Sequence, residues 1–267
     1  MKVVDLYCGA GGFSEGFRQA GFEVVFGIDN NQNACKTFQY NFPETKVVCR
    51  NIRTFDDFPK VDVIIGSPPC KEFSKGNVNR TFDVSLIARF LEIVEIIKPK
   101  FYVMENVPDV KDPINNLYGD FAGKFPTQVN LCAYNFGCAT TRERLFSGVF
   151  PKNINESRIK RVVRDVINSD LAGYQQPFKD AVYRKIDPNK PLFVICSQRI
   201  GNERYLLPNG RSLEVSELAA IQGFPPWFIF PCSRSEAQRQ IGNAVCPPVA
   251  KAIAEAIQTK LVEKNVE

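Results

Sequence analysis

Cys70 follows the end of a predicted strand, a position in which its thiol could act as a nucleophile. The apolar residues 61–65 predict a buried strand, and the sequence GSPPCKEFSKG follows at residues 66–76. Pro68 and Pro69 stiffen the exit from this strand, because proline fixes φ and lacks the N–H that a strand ladder needs. A thiol on a rigid connection, with a basic loop after it, suits attack on a polyanionic substrate. A buried structural cysteine at a strand end is the alternative.

The chain contains no histidine, which narrows the chemistry available around this cysteine. Ser-His-Asp and Cys-His catalysis are excluded, as is every metal site that uses an imidazole ligand. The nine cysteines are scattered and form no CxxC pair, so they predict reduced thiols and neither a disulfide framework nor a zinc site. Acid–base chemistry must therefore come from carboxylates, Lys, Tyr, Cys or water, and we expect no bound metal.

Two carboxylates are expected at the same edge of a sheet as Cys70. Asp29 follows the second predicted strand and lies 20 positions after Gly9, the spacing at which nucleotide-binding folds place an acid on a ribose hydroxyl. Glu105 directly follows the strand predicted at residues 101–104. Because ligands of open α/β sheets bind outside the carboxyl ends of the strands, we expect Asp29, Cys70 and Glu105 to surround one site. A plain helix cap is the alternative for Asp29.

The elements that must position these residues alternate between strand and helix. A first strand, the glycine turn CGAGG and a helix resemble the start of a nucleotide-binding βαβ unit, with an ordinary tight loop as the alternative. An amphipathic helix is predicted at residues 85–100, two more strands at residues 129–134 and 144–150, and a Gly-Asn turn with a last helix within residues 240–257. The fold class is therefore α/β, with a doubly wound, mostly parallel sheet.

Positive charge is concentrated in one part of this chain of 267 residues, whose net charge is +5. Residues 151–211 contain twelve Lys or Arg and six Asp or Glu, a surplus of six. This predicts a partner that carries phosphates, with a solvated face as the alternative. Weak periodicity and frequent turn signals in the same stretch predict a small second domain at about 151–239, beside a catalytic domain of residues 1–150 plus about 240–267.

The sequence has no run of 18 apolar residues and no signal-peptide pattern. We therefore expect a soluble, cytoplasmic protein with no membrane partner.

Six blocks of the chain, in the same order, resemble the cytosine-C5 methyltransferases of DNA, over residues 2 to about 257. The blocks are DLYCGAGGFSEGF (5–17), GSPPCKEFSKG (66–76), ENV (105–107), TTRERLF (140–146), RSLEVSELAAIQGFP (211–225) and QIGNAVCPP (240–248). The resemblance implies a Rossmann-like methyltransferase sheet, S-adenosylmethionine as the cofactor and double-stranded DNA as the substrate. It also implies that the small second domain reads the target sequence.

The resemblance further implies a role for individual residues. Cys70 would be the nucleophile that adds to C6 of a flipped cytosine, and Glu105 would supply or share a proton at N3. Arg142 and Arg144 would contact the cytosine O2 and steady the glutamate, and a loop at residues 71–80 would close over the base. The residues implied to bind the cofactor are Tyr7, Gly9, Gly11, Gly12, Asp29, Asn30, Ile52, Pro68, Asn243 and Val245.

Three positions depart from the family pattern. Lys71 stands where the family usually has Gln, Asn51 where it has an Asp that meets the adenine amino group, and Thr140 where it has Gln. None of the three changes removes a chemical group from the reaction, so activity is still expected.

We expect the enzyme to act on DNA as a monomer. We also expect it to be the modification half of a restriction system, with a cognate restriction endonuclease as its partner. In a prokaryotic host it would be associated with the nucleoid. A tRNA cytosine-C5 methyltransferase is a competing hypothesis, although the Cys-Phe-Thr tripeptide of that branch is absent. A catalytically silent regulator that binds nucleic acid is a second competing hypothesis, and a nucleotide-dependent oxidoreductase is a third.

Overall fold

A computed structural model of the chain describes residues 1–69, 84–111, 123–167, 173–175, 184–195, 205–206 and 211–264. The strands of its main sheet are β1 (Lys2–Leu6), β2 (Glu23–Asp29), β3 (Lys46–Cys49), β4 (Val63–Gly66), β5 (Phe101–Asn106), β6 (Thr127–Cys132) and β7 (Glu143–Val149). Their order across the sheet is β3-β2-β1-β4-β5-β7-β6. β7 runs antiparallel to both of its neighbours and the other pairings are parallel. The predicted α/β class with a mostly parallel sheet is thereby confirmed.

Helices cover both faces of this sheet. In order they are α1 (Gly12–Gln19), α2 (Gln32–Asn41), α3 (Ser85–Ile97), α4 (Val163–Val166), α5 (Val215–Ile221), α6 (Arg234–Asn243) and α7 (Pro247–Lys264). In β4, Val63 and Ile65 pack into one apolar cluster while Ile64 packs into another, as expected of a strand whose side chains alternate between two faces. α1 buries Phe17 in the first cluster, and α3 buries Phe90 in the second.

Helix α3 is shorter than the periodicity predicts. It ends at Ile97, and Lys98 adopts the left-handed conformation with φ of 53°. The physical reason is Pro99, since a proline disfavours the right-handed α conformation for the residue before it.

The C-terminal turn also differs from the prediction. Gly242 and Asn243 are the last residues of helix α6, and the chain turns after them before α7 starts at Pro247. The predicted Gly-Asn turn is therefore wrong. Sequence periodicity misses α6 because it is mostly polar and buries only a few residues, among them Ala237 and Ile241.

Three short strands form a second sheet in the basic part of the chain. They are β8 (Gly173–Gln175), β9 (Arg184–Ile186) and β10 (Tyr205–Leu206), antiparallel in the order β10-β8-β9. Near them, Leu192 forms an isolated bridge with Thr140 and is buried in the first apolar cluster together with Val163. The division into a catalytic domain and a small second domain stays a prediction.

Candidate active site

The glycine turn after β1 is fastened to the end of β2 by Asp29. One oxygen of this carboxylate accepts the N–H of Gly9 at 3.0 Å, and the other accepts the N–H of Asn31 at 2.8 Å. Asp29 is itself the last residue of β2, whereas the sequence predicts it just beyond the strand. Burial raises the pKa of Asp29, and these backbone N–H groups oppose that rise.

Two glycines let other segments approach this turn closely. Gly11 has φ of 98°, and a Cβ there would lie 2.7 Å from the ring of Phe42. A Cβ on Gly12 would lie 2.3 Å from the carbonyl oxygen of Val245, closer than real atoms approach. The start of α1 and the turn after α6 therefore touch backbone to backbone, which brings together two of the predicted cofactor residues, Gly12 and Val245.

The predicted residues Tyr7 and Ile52 are both linked to helix α3. The Tyr7 hydroxyl donates to the carbonyl of Leu86 at 2.8 Å, and Arg89 Nε donates to the carbonyl of Ile52 at 3.1 Å. Ile52 is buried at the start of a short 3-10 helix, which is capped by the side chain of Asn51. Tyr7 has φ of 59°, a conformation uncommon for a residue with a side chain and typical of functional turns.

Of the residues predicted to bind the cofactor, Asn30 and Asn243 are exposed, whereas Pro68 is buried. Asn30 directly follows the Asp29 carboxylate at the end of β2, and Asn243 ends helix α6.

An ion pair joins the neighbouring strands β5 and β7, towards the β6 edge of the sheet. Glu105 is almost fully buried, and its Oε1 lies 3.1 Å from Nε of Arg144. Glu105 lies within β5, opposite Phe146 in the ladder, whereas the sequence predicts it beyond the strand end. The antiparallel pairing with β7 extends β5 as far as Asn106 and thereby fixes the backbone of the glutamate.

Arg142 has a different partner from Arg144. It is buried just before β7, and its guanidinium donates to the carbonyl oxygens of Gly242 at 2.9 Å and Asn243 at 3.3 Å. These carbonyls end helix α6, where the helix dipole favours a cation. Both arginines line one small cavity of about 10 Å³ that Cys246 also lines, barely enough for one water molecule.

The contacts of Asn106 were not predicted from the sequence. Its side-chain amide donates to the carbonyl of Pro68 at 3.2 Å, and its amide oxygen accepts the N–H of Val107 at 2.9 Å. The block ENV is the available signal, because an amide directly after the predicted catalytic acid is well placed to hold a neighbouring segment. Cys70, Lys71 and the loop at residues 71–80 lie outside the described residues, which reach Pro69 on this side.

A second missed residue is Asp5, which is buried within β1. Its carboxylate accepts the hydroxyl of Ser14 at 2.6 Å, so it links the strand before the glycine turn to the helix after it. Burial raises the pKa of Asp5 to about 7, and the nearby charge of Asp29 adds to the rise. An acid inside an apolar strand is the signal that could have identified it.

None of the helices in the described part of the chain is both long and apolar enough to cross a membrane. Over the same residues, no group of three or more Cys, Asp or Glu side chains could hold a metal ion.

Comparison with known proteins shows the family of the chain. The model of the family described as "C-5 cytosine-specific DNA methylase" matches residues 1–165 and 148–259. The chain is 29% identical over 322 residues to the type II methyltransferase M1.HphI of Haemophilus parahaemolyticus, covering 96% of this chain and 86% of that protein. It is 30% identical over 308 residues to the type II methyltransferase M.HgiDI of Herpetosiphon aurantiacus, covering 100% of this chain and 97% of the relative.

Among solved structures, the Entamoeba histolytica methyltransferase EhMeth superposes with a TM-score of 0.71 at 17% identity, over 98% of each chain. At this identity the likeness concerns the fold alone. The family resemblance inferred from the six sequence blocks is confirmed by the family match and by the relatives. The chain belongs to the C-5 cytosine-specific DNA methylase family and is a DNA (cytosine-5) methyltransferase.

Proposed function

We propose that the protein transfers a methyl group from S-adenosylmethionine to C5 of a flipped cytosine in double-stranded DNA, through a temporary bond between Cys70 and C6. One observation carries this proposal. The buried Glu105, paired with Arg144, is followed by Asn106, whose amide holds the carbonyl of Pro68 two residues before Cys70. The acid and the segment that leads to the thiol are therefore held next to each other.

The described residues fit the proposed cofactor. A Cβ on Gly9 would meet nothing within 4 Å, so the glycine turn leaves open space beside the Asp29 carboxylate. Two oxygens with about four lone-pair sites allow Asp29 to accept ribose hydroxyls in addition to the N–H groups of Gly9 and Asn31. When bound, S-adenosylmethionine supplies the electrophilic methyl group that C5 takes up. Tyr7, Asn30, Ile52, Asn243 and Val245 would complete the site.

The proposed chemistry begins with Cys70. Cytosine C5 is too electron-poor to accept a methyl group unaided, and addition of a soft thiolate at C6 makes C5 enamine-like. The addition places negative charge on the ring, and Glu105 offsets it by delivering or sharing a proton at N3. The ion pair with Arg144 holds the Glu105 side chain in place for this proton.

The reaction ends when the C5 proton leaves and the bond between Cys70 and C6 breaks. Because the chain has no histidine, we assign the removal of this proton to water. The base must first be extruded from the duplex, which costs about a few kcal/mol, and the loop at residues 71–80 is proposed to close over it.

The two arginines are proposed to act differently. Arg144 remains the candidate for the cytosine O2, since it adjoins Glu105 and is only partly buried. The contacts of Arg142 with the carbonyls of Gly242 and Asn243 support a positioning role. It would hold the turn from Asn243 to Val245 against the cofactor, while strand β7, which starts at the next residue, holds Arg144.

We further propose a cytoplasmic modification enzyme that acts as a monomer on DNA and is paired with a cognate restriction endonuclease. The names of the relatives, type II methyltransferases, support this context. Residues of about 151–239 are proposed to read the target sequence. Within them, Arg158, Lys160, Arg161 and Arg164 lie largely at the surface, as cations that contact phosphates must.

Two assays test the proposal. Transfer of a labelled methyl group is measured in parallel on duplex DNA and on tRNA, with the Cys70→Ser variant as the control, and bisulfite sequencing of a methylated plasmid reports the target site. We expect label on DNA alone and none with the variant. Label on tRNA alone, or normal transfer by Cys70→Ser, would contradict the proposal.

A further inference from the structure

Two cysteines lie beside Asp29, and the proposed reaction uses neither of them. Cys35, in the first turns of helix α2, directs its Sγ to the carbonyl oxygen of Asp29 at 3.5 Å. Cys49 ends strand β3, and its Cα is paired with that of Asp29 across the ladder. Both cysteines are therefore anchored at the same residue of β2.

The side chains of the two cysteines lie on the same face of the sheet. Val47 packs against the apolar cluster that contains Phe38 of α2. Since side chains alternate along a strand, Cys49, two residues after Val47, projects towards the same face. The ladder therefore brings Cys49 beside the same residue of β2 that the Cys35 sulfur contacts.

The two thiols differ in their access to solvent. Cys49 is exposed, whereas Cys35 is buried. Burial raises the pKa of the Cys35 thiol, and the neighbouring Cys49 and Asp29 add to that rise. An accessible thiol next to a second, shielded thiol is the arrangement of a reactive cysteine with a resolving partner.

We propose that Cys35 and Cys49 form a dithiol that hydrogen peroxide oxidises to a disulfide, and that this disulfide weakens cofactor binding at Asp29. The Cys49 sulfur first attacks one peroxide oxygen, which breaks the O–O bond and gives a sulfenic acid and water. The Cys35 sulfur then attacks the sulfenic sulfur, forms the S–S bond and releases a second water. Two thiols lose two electrons in total, and one peroxide is reduced to two water molecules.

The disulfide is expected to weaken cofactor binding because Cys35 contacts Asp29. The disulfide removes the S–H donor from the carbonyl of Asp29 and draws α2 towards β3, at the residue whose carboxylate holds the glycine turn. This part of the inference rests on the proposed cofactor. If the displaced Asp29 carboxylate loses one hydrogen bond to the cofactor, the dissociation constant rises about two- to tenfold.

Peptide mapping tests the disulfide without any measurement of activity. The full-length Cys70→Ser variant, in which the proposed nucleophile cannot react, is treated with hydrogen peroxide, alkylated and digested with trypsin. Cleavage after Arg18, Lys36, Lys46 and Arg50 places Cys35 in residues 19–36 and Cys49 in residues 47–50. We expect these two peptides to be linked in oxidised protein and separate after reduction.

Binding of S-adenosylmethionine, measured by calorimetry before and after oxidation, tests the consequence. Cys35→Ser is the matched variant, because a serine hydroxyl can still donate to Asp29 but cannot form the disulfide. Cys232→Ser removes a partly exposed thiol that also neighbours α2, at Thr37, but takes no part in the proposed disulfide, and it should behave like its parent. We expect weaker binding after oxidation in the parent and in Cys232→Ser, restored by reduction, and unchanged binding in Cys35→Ser.

The outcomes separate this inference from the proposed function. Folded, oxidised protein without the linked peptides would overturn the inference, as would a linked protein whose dissociation constant is unchanged. If the reduced protein does not bind S-adenosylmethionine at all, the proposed cofactor is wrong and the coupling is overturned with it, while the peptide map still decides whether the disulfide forms.

Discussion

Asp5 offers a quantitative test of the buried polar contacts beneath the glycine turn. It is 1% exposed, and burial raises its pKa from 3.8 to about 7. In the unfolded chain the carboxyl ionises near its ordinary pKa of about 4, whereas in the folded chain it stays protonated until about pH 7. The stability that Asp5 contributes is therefore fully present below about pH 4 and is lost as the pH rises to about 7.

The size of this loss follows from the shift in pKa. A shift of about three units at about 1.4 kcal/mol per unit corresponds to roughly 4 kcal/mol in the free energy of unfolding. Asp5→Asn keeps the size of the side chain and an acceptor for the Ser14 hydroxyl but cannot ionise. Its stability relative to wild type should therefore rise by roughly 4 kcal/mol between about pH 4 and pH 8.

Urea denaturation followed by circular dichroism, at pH values from about 4 to 8, measures this difference. Asp62→Asn is the control without a trend, because hydrogen bonding to Lys100 lowers the pKa of Asp62. Removing Asp62 should cost a nearly constant amount of stability from about pH 5 to 8, and less only as the pH falls to about 4. A difference between Asp5→Asn and wild type that stays constant to within about 1 kcal/mol over the whole range would refute the reasoning.

Three further perturbations follow from the structure. Gly12→Ala places a Cβ 2.3 Å from the Val245 carbonyl and should destabilise the protein by about 1–3 kcal/mol in urea denaturation; unchanged stability would disprove this contact. Glu105→Gln should lower labelled methyl transfer by about 100-fold or more, with near-normal turnover as the contrary result. Neutralising Arg158 and Arg161 together should reduce the slope of log affinity for DNA against log salt by about 1 to 2, and an unchanged slope would locate the DNA elsewhere.

Hydrophobic periodicity predicts the main sheet and the longest central helix, because those elements bury regular apolar faces. It does not predict where β5 ends. Glu105 and Asn106 continue the strand because they pair with Phe146 and Leu145, residues far away in the chain. Helix α6 is missed for a related reason: its polar sequence RSEAQRQIGN has few apolar positions, and these are buried by tertiary packing.

The candidate site shows the same limit. Motifs predict which residue types take part, and the structure brings several of them together, such as Gly9 with Asp29 and Glu105 with Arg144. The contact of Arg142 with Gly242 joins residues 100 positions apart. Such a contact depends on how distant segments pack, and the spacing of residues within one motif carries no information about it.

The most direct test of the account is covalent trapping with a DNA duplex that contains 5-fluorocytosine at the methylated site. Fluorine replaces the proton that must leave C5, so the bond between Cys70 and C6 should persist once the methyl group has been transferred. With S-adenosylmethionine present, we predict a denaturation-resistant complex for the wild type and none for Cys70→Ser. Absence of any covalent species on a duplex whose cytosine counterpart the protein methylates would contradict the central claim.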